Sequence, residues 1–141
     1  MVGVLYQGKY QNDEISRLWD VFNRRALEIQ DTLDGPAYGV CRIPAGLPEG
    51  EFEYVAGFPV SSTAHVPAGM VARGLPAMKC ARFEHRGLLA SLGDTYNHIY
   101  QVALPQAGLQ PLEPGLDFES YDEDFKIDSP DSVMYIWVPV K

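Results

Sequence analysis

Hydrophobic residues recur at helical spacing in two stretches of the chain, one in each half. The first predicted buried stripe consists of Ile15, Leu18, Trp19, Phe22, Ala26 and Ile29. The second consists of Leu88 or Leu89, Leu92, Tyr96, Ile99, Tyr100 and Ala103. Asn12 or Asp13 is the predicted N-cap of the first helix, and Pro105 with Gly108 is predicted to end the second. The pattern therefore predicts two amphipathic helices.

The remaining hydrophobic segments are short and are separated by Gly and Pro, as is typical of strands joined by turns. The predicted strands span residues 2–10, 38–43, 52–60, 70–73, 77–84, 117–122 and 133–140. The third of these alternates clearly and places Phe52, Tyr54, Ala56, Phe58 and Val60 on one face. Each half of the chain is therefore predicted to run strand, helix, strand, strand.

The two predicted helices also share a short sequence pattern. Residues 18–23 (LWDVFN) recur as residues 92–97 (LGDTYN), with Leu, Asp, an aromatic residue and Asn at matching positions. Because both copies lie in matching helices that are followed by strands, the pattern indicates an internal repeat. We therefore expect an α+β fold in one domain, residues 1–141, made of two pseudo-symmetric strand-helix-strand-strand units at about 1–75 and 76–141. Their antiparallel sheets would carry the helices on one side.

Composition and charge narrow the class of protein. The 141 residues are 46% hydrophobic and 21% charged, which suits a globular domain. No segment has the length of a membrane span or the basic flank of a signal peptide, so we expect a cytoplasmic protein that does not enter a membrane. The net charge of −8 disfavours direct nucleic-acid binding and favours cationic ligands or basic partner surfaces.

The metal-ligating residue types are scattered. Cys41 and Cys80 lie far apart, and His65, His85 and His98 occur at no metal-ligand spacing. We expect no disulfide framework, no metal and no cofactor. His85 is interpreted as structural rather than as a catalytic base, and no complete catalytic set is visible.

The last predicted strand has two chemically different faces. Met134, Ile136 and Val138 form an aliphatic face, whereas Tyr135 and Trp137 point the other way. An aliphatic face is typical of a sheet that packs on helices, and an aromatic face with polar groups is typical of a cavity wall. The alternative is that Tyr135 and Trp137 are half-exposed residues of the kind that strands favour. The aromatic face of residues 52–60 favours the cavity.

Glu119 and Tyr121 lie two residues apart and therefore share a face of their predicted strand. A carboxylate beside aromatic rings can hold a lipophilic cation, because the charge pair strengthens away from water and each ring adds about 0.5–2 kcal/mol of cation–π attraction. The alternative is an exposed acidic strand. If the predicted strand register is wrong by one residue, Glu53 or Glu84 would replace Glu119 as the buried acid.

Several segments in a fixed order resemble GyrI-like proteins, and together they cover nearly the whole chain. They are residues 54–57 (YVAG), 67–70 (PAGM), 75–77 (LPA), 83–87 (FEHRG), the helix with Thr95 and Tyr96, 104–108 (LPQAG), 118–121 (FESY) and 136–140 (IWVPV). GyrI-like proteins are similar to the effector-binding domains of multidrug-sensing transcription activators of the AraC and MerR types. The resemblance implies a ligand cleft between the two units, with Glu119 at its base among aromatic residues.

The resemblance leaves three functions open. The first, which we expect, is binding of small lipophilic, cationic, drug-like compounds. The second is hydrolysis of reactive cyclopropane-type compounds by the same Glu119. The third is interaction with a protein partner, a regulator or gyrase. The predicted ligand-binding residues, chosen from face and position around Glu119, are Glu119, Tyr121, Tyr54, Phe58, Tyr96, Tyr135 and Trp137. Because the chain begins almost at the first strand, we expect a free-standing form without a helix-turn-helix; the oligomeric state stays open.

Overall fold

The predicted strands form in a computed structural model that describes residues 1–9 and 13–141. The seven strands are β1 (Val2–Gly8), β2 (Ala37–Arg42), β3 (Phe52–Phe58), β4 (Val71–Ala72), β5 (Cys80–Arg86), β6 (Asp117–Tyr121) and β7 (Val133–Pro139). Each predicted strand corresponds to one of them with shifts of a few residues at the ends. The predicted end of the first strand at Tyr10 and the candidate N-cap Asn12 lie outside the described residues.

Both predicted helices are present. Helix α1 spans Glu14–Arg25 and ends in a 3-10 turn, Ala26–Glu28. Asp13 occupies the N-cap position, which is one of the two predicted alternatives, but its backbone is left-handed (φ 58°) and its side chain makes no capping hydrogen bond. Helix α2, Leu92–His98, follows a 3-10 turn at Leu89–Ser91.

The second helix ends at Gln106, between Pro105 and Gly108, as predicted to within a residue. It continues from α2 through a π-helical turn, Ile99–Ala103, into the short α3, Leu104–Gln106. Pro105 therefore lies inside the last helical segment, next to a widened turn, rather than beyond its end. A proline inside a continuous helix cannot donate to a carbonyl of the preceding turn, and the turn directly before Pro105 is the widened π-helical one. Gly108, with φ 70°, follows the end of the helix as predicted.

The two units join into one continuous sheet. The strand order is β4-β1-β3-β2-β6-β7-β5, and every neighbouring pair is antiparallel. Within each half the last long strand lies between the other two, so β1-β3-β2 mirrors β5-β7-β6. The predicted strand-helix-strand-strand units are confirmed, and the β2–β6 pair is the seam between them.

The helices pack on one face of the sheet, as predicted. In the first half Phe22 and Ile29 are buried against Val2, Val4 and Ala56. In the second half Ile99 and Leu104 are buried against the aliphatic face of β7, which consists of Met134, Ile136 and Val138. We call this surface the helical face of the sheet. Each half thus has its own core, and the seam runs between the two.

The length and hydropathy of the helices show whether any of them could cross a membrane. Within residues 1–9 and 13–141, no helix combines the length and the apolar character needed to cross a membrane.

Candidate ligand-binding site

The site is built at the seam between the two halves. Antiparallel pairing of β2 with β6 places Gly39 opposite Glu119, both on the helical face. A β-carbon at position 39 would overlap the hydroxyl of Tyr54 and would lie 3.1 Å from Oε1 of Glu119. Because Gly39 has no side chain, the Tyr54 phenol from the neighbouring strand can pass over it and reach the Glu119 carboxylate.

Three phenols hold the Glu119 carboxylate. Tyr54 donates to Oε1 at 2.7 Å, Tyr121 donates to Oε1 at 2.9 Å, and Tyr96 donates to Oε2 at 2.6 Å. The indole Nε1 of Trp19 donates in turn to the Tyr54 hydroxyl at 3.0 Å. Glu119 is only 6% exposed, and these charge-assisted bonds offset the cost of burying it. Its donors come from both halves of the molecule.

The buried phenols keep their protons. Burial and the neighbouring Glu119 raise the pKa of Tyr54 well above its ordinary value, and the same two causes raise the pKa of Tyr96. Both side chains therefore stay neutral hydrogen-bond donors over the whole physiological pH range. They orient the carboxylate of Glu119 without supplying a positive charge.

A cavity of about 700 Å³ opens above Glu119, between α1 and α2. Its lining residues are Asp13, Ile15, Ser16, Trp19, Cys41, Phe52, Tyr54, Leu89, Ala90, Leu92, Gly93, Tyr96, Asp117, Glu119 and Tyr121. The volume lies in the range of small-molecule pockets, and the walls are mainly apolar and aromatic. A second depression, of about 600 Å³, lies between Leu27 and the loop around His65 and has no buried acid. The cavity above Glu119 is thus the candidate site.

Helices α1 and α2 carry residues of very different size at matching positions beside the cavity. The two copies of the repeat place Trp19 on α1 where α2 has Gly93, and both residues line the cavity. The Trp19 ring packs edge-on against Tyr121, with centroids 5.0 Å apart. A β-carbon added at Gly93 would meet no atom within 4 Å. The α1 side of the cavity therefore carries the Trp19 ring, whereas the α2 side is open at the exposed Gly93 and carries Leu92 and Tyr96.

A second buried acid lies beside Glu119. Asp117, on the same face of β6, is 8% exposed, and its Oδ2 accepts a 2.6 Å hydrogen bond from the Tyr100 hydroxyl. Burial raises the pKa of Asp117 to about 6; the Tyr100 bond opposes that rise, and the charge of Glu119 adds to it. Asp117 was not among the predicted site residues, although strand alternation places residues 117, 119 and 121 on one face.

Four of the predicted site residues come together. Glu119, Tyr121, Tyr54 and Tyr96 form the hydrogen-bonded group on the cavity floor. Phe58 lies on the helical face of β3 but packs against Phe22 of α1, with ring centroids 4.9 Å apart. Phe58 is therefore part of the first core rather than of the cavity lining.

The structure corrects the placement of Tyr135 and Trp137. The β6–β7 register puts Tyr135 beside Ser120 and Trp137 beside Phe118, on the sheet face opposite to Glu119. There Trp137 stacks on Phe118 at 5.9 Å, and Arg82 lies over the Tyr135 and Trp137 rings. The prediction that they share the cavity with Glu119 is wrong. Because the helices form the cavity walls, the cavity had to lie on the aliphatic face of β7.

The predicted register itself is confirmed. Glu53 lies on the other face and forms ion pairs with Arg73 and Arg42, at 3.4 and 3.9 Å. Glu84 is exposed on the edge strand β5. Neither replaces Glu119. His85 is buried with both ring nitrogens hydrogen-bonded, to Thr95 and to the Leu88 carbonyl, which fits its structural interpretation.

The described part of the chain contains no cluster of metal-ligating side chains. Among residues 1–9 and 13–141, no group of three or more His, Cys, Asp or Glu side chains is placed to hold a metal ion.

Fold and cavity agree with a known family. The family model of Cass2, an integron-associated effector-binding protein, matches residues 1–140. The chain belongs to this family. Because the family is GyrI-like, the resemblance in the sequence is confirmed. Effector binding, meaning the binding of small molecules, is the function that the family description names.

Two relatives extend the comparison. The chain is 39% identical over 143 aligned positions to the transcriptional regulator BrlR of Pseudomonas aeruginosa, covering 99% of this chain and 51% of BrlR. The chain therefore spans about half the length of that regulator. The crystal structure of a proposed bacterial transcription regulation protein from Staphylococcus aureus MU50 superimposes with a TM-score of 0.60 at 20% identity. That match covers 99% of this chain and 90% of that one. It supports the fold.

Proposed function

We propose that this effector-binding protein binds small lipophilic cations in the cavity above Glu119, and that the Glu119 carboxylate recognises the positive charge. One observation carries the proposal. A buried carboxylate lies on the floor of an aromatic cavity, and three neutral phenols hold it in place.

The charge of the cavity supports a cationic ligand. Among the described residues that line it, Asp13, Asp117 and Glu119 are acidic, and none is Lys or Arg. A cation 4 Å from one carboxylate gains about 4 kcal/mol at an effective dielectric constant near 20, before desolvation costs. The net charge of −8 would also raise the local concentration of cations around the protein.

The walls support a ligand that is also lipophilic. Ile15, Phe52 and Leu92 offer apolar surface, and Trp19 and Tyr96 offer rings beside the carboxylate. Aromatic faces attract organic cations, whereas a hydrated inorganic ion would have to give up its water to enter. A ring system with an attached ammonium group satisfies both features of the site.

A regulatory role is proposed from the relatives. The BrlR match and the effector-binding family support a domain whose ligand state influences transcription. A cytoplasmic location accompanies that role as a prediction. Cyclopropane hydrolysis and binding to gyrase or a regulator stay predictions from the resemblance.

The proposal is tested through the fluorescence of Trp19, the tryptophan that lines the cavity. In a Trp137→Phe background, a phenylalkyl trimethylammonium ion is expected to quench Trp19 saturably, with micromolar affinity. Glu119→Gln should weaken binding by about tenfold or more, which corresponds to about 1.4 kcal/mol.

The control is Glu113→Gln, which removes the same charge from an exposed position. It is expected to bind like the parent protein. If Glu119→Gln and Glu113→Gln bind the cation equally well, the proposed role of Glu119 is wrong.

A further inference from the structure

We infer that the same cavity recognises a second positive charge through Asp117, so that its preferred ligands are dications with charges on the order of 7 Å apart. The inference rests on the proposed cation site at Glu119. It adds a ligand class, which can be an aromatic diamine or bis-ammonium compound.

The spacing follows from the strand. Asp117 and Glu119 lie two residues apart on β6, both face the helices, and both line the cavity. A rise of about 3.3–3.4 Å per residue separates their backbone positions by about 7 Å. A ligand that spans both acids therefore lies along β6, parallel to the seam.

The two acids differ in how far the protein satisfies them. Glu119 accepts three phenol hydrogen bonds. In the described part of the chain, Tyr100 is the one donor to Asp117, and it binds Oδ2. Oδ1 has no donor among the described residues, and Asp117, at 8% exposure, borders the cavity. A carboxylate oxygen with free lone pairs at a cavity wall can accept a hydrogen bond or a charge contact from a ligand.

Electrostatics point in the same direction. Two buried carboxylates this close repel each other, and no Lys or Arg is among the described lining residues to offset the repulsion. A monocation at Glu119 leaves the second charge uncompensated. A dication neutralises both carboxylates. Its gain in affinity over the monocation comes from the attraction between the second ligand charge and Asp117.

Protonation of the Asp117 carboxylate competes with binding of the second ligand cation. The groups that face Asp117 are Glu119 on its own strand, Cys41 on β2, and Tyr96 and Tyr100 from the second helix. Burial raises the pKa of Cys41 to about 12, and the pKa of each of the two phenols is also raised. These three groups keep their protons near pH 6, so the step there is assigned to Asp117. Below that pH a protonated Asp117 loses its preference for a second cation.

The test compares two ligands on one scaffold by calorimetry. One is p-xylylene with two trimethylammonium groups, and the other has one trimethylammonium and one uncharged tert-butyl group of the same shape. At pH 8 the dication is expected to bind the unaltered protein about tenfold more tightly than the monocation. In Asp117→Asn the ratio should fall towards one, and in Glu113→Gln it should persist.

Two further measurements separate a charge effect from damage to the fold. Lowering the pH from 8 to 5 should shrink the ratio in the unaltered protein. Tyr100→Phe removes the bond that lowers the pKa of Asp117, so the ratio should begin to fall at a higher pH than in the parent. A merely structural role of Asp117 or Tyr100 would leave this pH profile unmoved.

The outcomes are distinguishable. If the monocation binds through Glu119 but the dication has no advantage, or keeps it in Asp117→Asn, the inference about Asp117 is overturned and the cation site stands. If neither ligand binds, both the inference and the proposed function fail.

Discussion

The two buried acids on β6 differ in their number of hydrogen-bond donors. The three donors around Glu119 stabilise its carboxylate in a buried position, whereas Asp117 has the single donor Tyr100 among the described residues. Burial raises the pKa of Asp117 to about 6, and the single Tyr100 bond opposes this rise only in part. The folded protein therefore holds a proton on Asp117 more tightly than the unfolded chain does, and this difference has a measurable effect on stability.

Asp117→Asn tests that effect. Because the folded-state pKa is about 6 and the ordinary value is 3.8, unfolding releases a proton between these pH values, and the free energy of unfolding falls as the pH rises from about 4 to about 6. A difference of this size corresponds to roughly 3 kcal/mol. In urea denaturation, Asp117→Asn is expected to exceed the parent in stability by up to about 3 kcal/mol at pH 8 and by less than about 1 kcal/mol at pH 4. If Asp117→Asn exceeded the parent in stability by the same amount at pH 4 and at pH 8, the raised pKa of Asp117 would be contradicted.

Among the elements, helix α2 determines how much room the cavity has. Gly93 faces the cavity where α1 carries Trp19, and a β-carbon there has free space around it. Glycine near the start of a helix also weakens it relative to alanine, by up to about 1 kcal/mol. The glycine thus favours cavity volume over helix stability, which is what a binding site requires.

Gly93→Trp and Gly93→Ala test this role as a pair. Gly93→Ala is expected to raise the free energy of unfolding by up to about 1 kcal/mol and to leave cation binding intact, because its β-carbon contacts nothing. Gly93→Trp should fill the cavity and weaken cation binding at least about tenfold while Glu119 and its phenols remain. Unchanged binding in Gly93→Trp, measured by calorimetry, would show that the ligand binds elsewhere.

Most elements were predictable from local patterns, and the misses have physical causes. Period-3.6 and period-2 hydrophobicity predicted both helices and the faces of β3, β6 and β7. Alternation separates two faces but does not say which one carries the cavity, and this ambiguity misplaced Tyr135 and Trp137. The helix passes through a π-helical turn before Pro105 and ends at Gln106; local periodicity gives no signal for that widened turn.

At the scale of the whole molecule, the site exists because two similar halves meet. The seam depends on pairing between β2 and β6, which are far apart in sequence, so local patterns predicted two units but not their single sheet. Gly39 and Tyr54 come from the first half, and Glu119 and Tyr96 come from the second. The acid therefore acquires its full set of donors only when both halves are folded together.

Recognition of positive charge by Glu119 can be measured as a set of four affinities by calorimetry. A phenylalkyl trimethylammonium ion and its uncharged tert-butyl isostere are each titrated into the unaltered protein and into Glu119→Gln. We expect the unaltered protein to prefer the cation by about tenfold or more and the preference to disappear in Glu119→Gln, which is a coupling of about 1.4 kcal/mol or more. A coupling near zero, with the cation and its isostere bound alike by both proteins, would contradict the claim that Glu119 recognises positive charge.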